Sequence, residues 1–139
     1  MKITLQNLQT QVPIRNKKIK KIIRKVLKGE GQKKSGQINI CFVNDSQIKK
    51  FNLKFLKTNR PTDVLAFNLS DLKKKDTLLA DIMVSAQTAV KQSRNFKTSL
   101  DYELSLYVAH GILHILGFND QSLAQAKLMR KKENLYVNR

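Results

Sequence analysis

Two kinds of spacing between apolar residues alternate along the chain. Where every second residue is apolar, as at Ile3 and Leu5, the pattern predicts a β-strand, here over Lys2–Leu8. Three further segments rich in Val, Ile, Phe and Leu predict strands at Gln37–Val43, Thr62–Leu69 and Leu78–Val84. A short polar loop joins the last two strands, which indicates a hairpin.

Apolar residues that recur every three or four positions predict five helices between and after these strands. Pro13 is placed to open the first helix and Gly29 to stop it. The others are bounded by residues that commonly cap helices: Asn44–Ser46 before the second, Ser85 before the third (to about Phe96), Thr98–Ser99 and Gly117 around the fourth, and a Ser122–Gln125 capping box before the fifth, through Leu135. The fourth helix is apolar on most sides, so we expect it at the centre of the fold.

The resulting order, β-α-β-α-β-β-α-α-α, predicts an α+β fold with one small mixed sheet packed by helices. The chain has the length of one domain and no Pro/Gly/Ser-rich linker divides it, so we expect a single domain over residues 1–139. The only cysteine, Cys41, excludes an internal disulfide framework and a cysteine-rich zinc module. No apolar run has transmembrane length and no signal peptide is recognisable, so we expect a cytoplasmic protein without membrane association.

Charge changes this picture more than any other property of the composition. Lysine and arginine number 27 against 10 acidic residues, which gives a net charge of +17. Such an excess favours polyanionic partners, namely nucleic acid or an anionic membrane surface. Lysine-rich usage can also reflect a biased genome composition, so the charge alone does not identify the partner.

The only two histidines, His110 and His114, lie four residues apart in the predicted fourth helix. This spacing puts both imidazoles on one helix face, where they can bind one metal ion. Gly117 can fold the chain back over that face, and Asp120 could then provide a third ligand. A metal bound by three residues would keep a position for water and lower the pKa of that water toward ~7.

Simpler interpretations of the same residues stay open. The histidines could be packing or hydrogen-bonded core residues, and Asp120 could be a turn residue or a cap of the last helix. Position 111 holds glycine where H-E-x-x-H peptidases have their glutamate base, which argues against a proteolytic site of that kind.

Three segments carry motifs that occur together in one known family. They are NLKFLKTNRPTDVLAF (Asn52–Phe67), similar to N-x-x-(Y/F) followed by T-D-V-L-S-F; LADIMVS (Leu79–Ser85), similar to G-D-I-x-I-S; and HGILHILGFND (His110–Asp120), similar to H-G-x-L-H-L-x-G-Y-D-H. With these motifs the chain resembles the bacterial rRNA-maturation endoribonucleases of the YbeY type, over about Asn39–Tyr136.

This resemblance implies a single metallopeptidase-like α+β domain that binds one zinc ion. It also implies action on single-stranded and ribosomal RNA during maturation of the small ribosomal subunit. The chain departs from the family pattern at several positions. Asp120 stands where the family has a third histidine, and the preceding Asn119 stands where the family has an aspartate. Leu56 replaces an arginine, and Ala66 and Ala80 replace a serine and a glycine. Two histidines and one carboxylate also suit iron or manganese.

The leading hypothesis is therefore a metal-dependent endoribonuclease with His110, His114 and Asp120 as ligands and the metal-bound water as the only assigned catalytic group. Attack by that water or by a ribose hydroxyl remains open, as does the oligomeric state. Leu56 and Asp120 motivate a second hypothesis, a non-catalytic ribosome- or RNA-binding factor with an altered metal site. A metallopeptidase is a third, which Gly111 and the +17 charge disfavour.

Overall fold

The computed structural model describes residues 1–56, 63–70 and 74–138, with Leu56 described by its backbone. Four strands and five helices follow one another in the predicted order, which confirms the α+β fold. In chain order they are β1 (Lys2–Asn7), α1 (Asn16–Gly29), β2 (Ser35–Val43), α2 (Asp45–Leu56), β3 (Val64–Asn68), β4 (Thr77–Ser85), α3 (Ala86–Phe96), α4 (Leu100–Ile115) and α5 (Leu123–Tyr136).

The strands form one mixed sheet in the order β1-β2-β4-β3. β1, β2 and β4 are parallel, and β3 pairs antiparallel with β4, so the predicted hairpin is present. The register aligns Leu5, Ile40, Ile82 and Ala66 in one row across all four strands. Because side chains alternate between the two faces of a sheet, this row belongs to a single face.

Helix α4 lies against that face of the sheet, with α1 and α3 beside it. It is the predicted central helix, and residues such as Val108 and Ile112 are fully buried. Gly111 lets the helix approach closely, because a Cβ there would lie 2.9 Å from Ile82 Cγ2 and 3.3 Å from Val64 Cγ2. The backbone of α4 therefore packs directly against side chains of β3 and β4, with no side chain at position 111 between them.

A smaller apolar cluster lies on the sheet near α2. It contains the buried residues Val43, Ile48, Leu65 and Met83. α2 begins after Asn44, whose side chain accepts from Gln47 N at 2.8 Å while Gln47 Oε1 accepts from Asn44 N at 2.9 Å. The predicted cap of the second helix is therefore confirmed, as a reciprocal pair.

The start of α1 differs from the prediction. The helix begins at Asn16 with Arg15 as its N-cap, so Pro13 does not open it. The preceding segment is fixed by Gln9, whose side chain accepts from Val12 N at 2.9 Å and donates to Val12 O at 2.7 Å. Since Val12 is buried, these contacts determine where the helix can begin more strongly than the first-turn preference of proline does.

The end of α1 differs as well, because Gly29 is its last helical residue rather than the stop. The left-handed residue is Gly31, with φ +69°, and its N–H donates to Lys28 O while that of Gln32 donates to Leu27 O. This pattern is a Schellman motif. Gly29 meets a different requirement: a Cβ there would lie 2.4 Å from the ring of Tyr136.

The caps that place the C-terminal helices agree with the predictions. Ser85 and Ser99 cap α3 and α4, and Ser122 forms a complete capping box with Gln125 at α5. The sequence also predicts that Lys57–Pro61 ends the second helix. This segment, and Thr62 at the start of the predicted third strand, lie outside the described residues. Within the described ranges every helix is too short or too polar to cross a lipid bilayer.

Candidate metal centre

Helix α4 presents both histidines on one face near its C-terminal end. The rings of His110 and His114 are edge to face, with their centroids 5.5 Å apart. Their side chains are 22% and 39% exposed, whereas most of the neighbouring residues of α4 are buried. Spacing by four residues thus has the predicted effect, and both rings are accessible from solvent.

The turn after α4 brings Asp120 back to the histidines. Gly117 has φ +105°, and the N–H groups of Gly117 and Phe118 donate to His114 O and Leu113 O. This Schellman motif needs a residue that tolerates a left-handed backbone, which explains the glycine. Ser122, rather than Asp120, is the N-cap of α5. Asp120 is therefore not the cap of the last helix.

The three side chains turn one nitrogen or oxygen atom each toward a common point. Asp120 Oδ2 is 3.7 Å from His110 Nε2, and Asp120 Oδ1 is 3.8 Å from His114 Nε2. One such atom from each residue lies within 4.8 Å of the others. These separations exceed hydrogen-bond length, so the three groups surround a space without closing it.

The donor set fits a divalent metal ion. Zinc bound at about 2.0–2.2 Å in a tetrahedral arrangement separates its ligand atoms by roughly 3.3–3.6 Å, slightly less than the distances seen here. Two imidazole nitrogens and one carboxylate form a common set of three protein ligands for catalytic zinc, and they also suit iron or manganese. The three residues can therefore hold a metal ion after a small contraction.

The second ring nitrogen of His110 has a partner that the sequence interpretation missed. Its Nδ1 lies 2.8 Å from Glu133 Oε1, and the Glu133 side chain is only 15% exposed. An ionised carboxylate can only accept a hydrogen bond, so Nδ1 carries the proton. One signal was available in the sequence: Glu133 is the only acidic residue in α5, a helix with four lysines and arginines.

The surroundings of His110 favour its protonated form in the metal-free protein. Burial acts against protonation, but the hydrogen bond and the charge of Glu133, with smaller contributions from Asp63 and Asp120, raise the pKa of His110 above 6.5. A metal ion must displace the proton from Nε2, and the same three carboxylates would stabilise the positive charge that replaces it.

Asp63 lies just before β3, close enough to both His110 and Tyr107 to affect the pKa of each. Its backbone oxygen accepts from Ser85 N at 2.9 Å, which fixes the start of β3 against the end of β4. The T-D-V-L motif therefore reaches the histidines through Asp63. The neighbouring Thr62 and the side chain of Leu56 lie outside the described residues.

Comparison with known proteins places this geometry in one family. The family model described as "Endoribonuclease YbeY" matches residues 4–139. The chain belongs to the YbeY family. The match includes both histidines, Asp120 and Glu133, so the whole candidate centre lies inside the YbeY region.

Several individual YbeY proteins are similar over most of their length. The chain is 34% identical to endoribonuclease YbeY of Petrotoga mobilis over 139 residues, covering 99% of this chain and 94% of that protein. It is 29% identical to endoribonuclease YbeY of Pelotomaculum thermopropionicum over 147 residues, covering 100% and 97%. The solution structure of TM1509 from Thermotoga maritima aligns with a TM-score of 0.59 at 25% identity, covering 95% of this chain and 87% of that one.

Proposed function

We propose that this protein is a metal-dependent endoribonuclease that prefers single-stranded RNA and acts in ribosomal RNA maturation. The observation that carries the proposal is the convergence of His110 Nε2, His114 Nε2 and the Asp120 carboxylate on one point in a chain of the YbeY family. We propose these three residues as the metal ligands and residues 1–139 as one hydrolase domain. The relatives named above are called endoribonucleases.

We propose zinc as the ion, with iron or manganese as alternatives because Asp120 supplies an oxygen ligand. When bound, the ion supplies Lewis acidity for attack on phosphorus, by water or by a neighbouring ribose hydroxyl. The residues around it have separate tasks. The ion would be held on the exposed side of α4 by His110, His114 and Asp120. Glu133 accepts a hydrogen bond from Nδ1 of His110, the ring nitrogen that does not face Asp120.

Charge supports RNA as the substrate and suggests how it is held. The exposed side of α1 carries several cations, listed here as Lys17, Lys18, Lys21, Arg24, Lys25 and Lys28, within a chain of net charge +17. Such cations bind phosphates with little regard to base sequence, and binding of this kind weakens steeply with added salt. Ribosomal RNA as substrate would also place the protein in the cytoplasm, with the small ribosomal subunit as its partner.

A second candidate is a non-catalytic RNA-binding factor that keeps an altered metal site. It is favoured by Leu56, which stands where the family resemblance places an arginine, and by Asp120 in place of a histidine. A metallopeptidase is less well supported. Position 111 of α4 faces the sheet and has no room for a side chain, so it offers no carboxylate beside the histidines.

The test combines metal analysis with a cleavage assay. We expect the purified chain to bind one zinc ion and to cut single-stranded RNA, and to leave an unfolded protein substrate intact. His114→Ala should lose both metal and RNA cleavage, while Thr10→Ala, at an exposed position between β1 and α1, should keep both. Stoichiometric metal without RNA cleavage would favour the non-catalytic factor, and failure to bind any divalent metal would contradict the site.

A further inference from the structure

Each ring nitrogen of His110 faces a carboxylate, but only one of the two is within hydrogen-bond distance. Nε2 faces Asp120 at 3.7 Å, whereas Nδ1 is in hydrogen-bond contact with Glu133 at 2.8 Å. A neutral imidazole has one N–H and one lone pair, so fixing the proton on one nitrogen exposes the lone pair on the other. A carboxylate that holds the proton on one nitrogen of His110 therefore sets the tautomer of the ring.

We propose that Glu133 is a positioning residue for the metal centre, which keeps the proton of His110 on Nδ1 and so leaves Nε2 as the metal-binding nitrogen. This inference rests on the metal centre proposed above. A carboxylate on the distal nitrogen of a histidine ligand fixes ring orientation and makes the imidazole a stronger donor. Glu133 does not contact the proposed ion position, so its effect acts through His110.

Helix α5 is anchored well enough to hold Glu133 in place. Met129 and Tyr136, one turn before and about one turn after Glu133, are 2% and 4% exposed. At the far end of the helix, Glu30 binds the Tyr136 hydroxyl and accepts from Lys132 Nζ at 3.1 Å. The core fixes one side of α5 and Glu30 fixes the other. The Glu133 side chain is therefore already in hydrogen-bond contact with His110 in the metal-free protein.

Glu30 offers a matched control for Glu133. Both are largely buried carboxylates that connect α5 to the rest of the fold, and the side chains of Glu30 and Glu133 are 10% and 15% exposed. Only Glu133 touches a histidine, since the partners of Glu30 are Lys132 and Tyr136. If Glu133 served only to attach α5, replacing either residue would have the same effect on the metal site.

The experiment measures zinc affinity, by chelator competition, for the unchanged protein and for Glu133→Ala, Glu133→Gln and Glu30→Gln. We expect Glu133→Ala to lower zinc affinity by about 10–100-fold, the usual cost of losing an outer partner of a histidine ligand. Glu133→Gln keeps an oxygen that can accept from Nδ1–H, so it should recover much of the loss. Glu30→Gln should leave zinc affinity within about twofold, since Glu30 bonds to Lys132 and Tyr136 and not to a proposed ligand. Lys132 approaches the turn before Asp120 only through the Phe118 ring, whose centroid is 5.3 Å from Lys132 Nζ.

Nitrogen NMR of the His110 ring provides a readout that a purely structural role would not move. In the unchanged protein and in Glu133→Gln, Nδ1 should carry the proton, in the zinc-loaded state as well. In Glu133→Ala the metal-free neutral ring should become a mixture of both tautomers. If Glu133→Ala does not fold, the position of the proton on the neutral His110 ring of the unchanged protein still decides.

Three results would overturn the inference. The first is a zinc affinity of Glu133→Ala equal to that of the unchanged protein, and the second is an equal loss of affinity in Glu133→Ala and Glu30→Gln. The third is a neutral His110 ring, in the unchanged zinc-free protein at a pH where the ring is neutral, that carries its proton on Nε2 and not on Nδ1. The first two leave the proposed metal centre intact, because they require that the unchanged protein binds zinc. Absence of zinc binding by the unchanged protein would instead overturn the centre itself, and this inference with it.

Discussion

Two groups of polar side chains on helix α4 show how differently the same kinds of residue can be used. Near the start of the helix, Glu103 is 3% exposed and accepts from Thr98 Oγ1 at 2.6 Å. Burial and the neighbouring Glu103 raise the pKa of Tyr107. Two turns further on, Asp120 approaches His110 and His114 only to 3.7 and 3.8 Å. The first group satisfies its own hydrogen bonds, whereas the second leaves room between its members.

The difference separates a structural cluster from the proposed ligand site. A buried carboxylate without partners is costly, so the hydrogen bond from Thr98 stabilises Glu103 in its buried position. Asp120 is 47% exposed and can rely on water, so it can remain out of contact with the histidines until an ion draws them together. The distances between polar atoms therefore distinguish the two groups, although both contain carboxylates on or next to the same helix.

The largest expected effect tests the group formed by His110, His114 and Asp120. Asp120→Ala should weaken zinc binding by about 100-fold or more, because loss of an outer partner alone already costs about 10–100-fold. Asp120→His should retain or tighten binding, since imidazole also binds zinc. A third neutral ligand in place of a carboxylate should also shift any cleavage activity toward lower pH. Zinc titrations of the two variants, with thermal unfolding as the control, check this, and unchanged zinc binding in Asp120→Ala would remove Asp120 from the site.

The next effect tests the hydrogen-bonded cluster around Glu103. Glu103→Gln should lower the free energy of unfolding by about 1–3 kcal/mol, because a buried charged acceptor is replaced by an amide that must place two N–H groups. Zinc affinity should stay within about twofold, since Glu103 is nearly two turns from His110. Denaturant unfolding and zinc titration of the same preparation measure both quantities. A stable variant with impaired zinc binding would reverse the distinction drawn between the two groups.

A smaller effect sharpens the comparison with a third carboxylate, Asp45. It accepts from Ser85 and Thr88 hydroxyls at 2.6 Å each and from Lys91 Nζ at 2.7 Å. Its partial burial opposes ionisation, but these hydrogen bonds together lower the pKa of Asp45 below 3.8. The stabilisation is therefore fully present above pH 3.8 and is lost as the pH falls through the lower pKa of the folded state.

Asp45→Asn should accordingly cost about 1–2 kcal/mol of unfolding free energy at pH 7. The difference between the variant and the unchanged protein should shrink as the pH falls below about 3.8. Parallel urea titrations at several pH values measure that difference. A gap that stays constant down to pH 2 would mean that Asp45 contributes through packing and not through its charge.

Most of the fold was predictable because each element carries its own local signal. Ser122 and Gln125 form the predicted capping box, and Gly117 stops α4 in the predicted way. The errors arise where a distant contact decides a local feature. Pro13 was expected to open α1, but Gln9 and Val12 fix the chain before it, and Gly29 is small because Tyr136 packs against it.

The candidate centre divides in the same way. His110, His114 and Asp120 fall within eleven residues, so helix geometry and one glycine turn suffice to bring them together in a prediction. Glu133 lies 23 residues beyond His110, on a helix whose rotation about its own axis the sequence does not specify. Its meeting with His110 depends on Met129 and Tyr136 entering the core, which only the tertiary structure reveals.

The place of α5 at the end of the fold has a consequence for the newly made chain. Domains are completed as the polypeptide emerges with its N-terminus first. The sheet and α1 precede Asp120 and Glu133 in the sequence, so they are synthesised first. A partly synthesised protein can therefore carry much of its lysine-rich surface while the proposed metal centre is incomplete. Binding to RNA and the capacity to act on it would arise at different times in the life of each molecule.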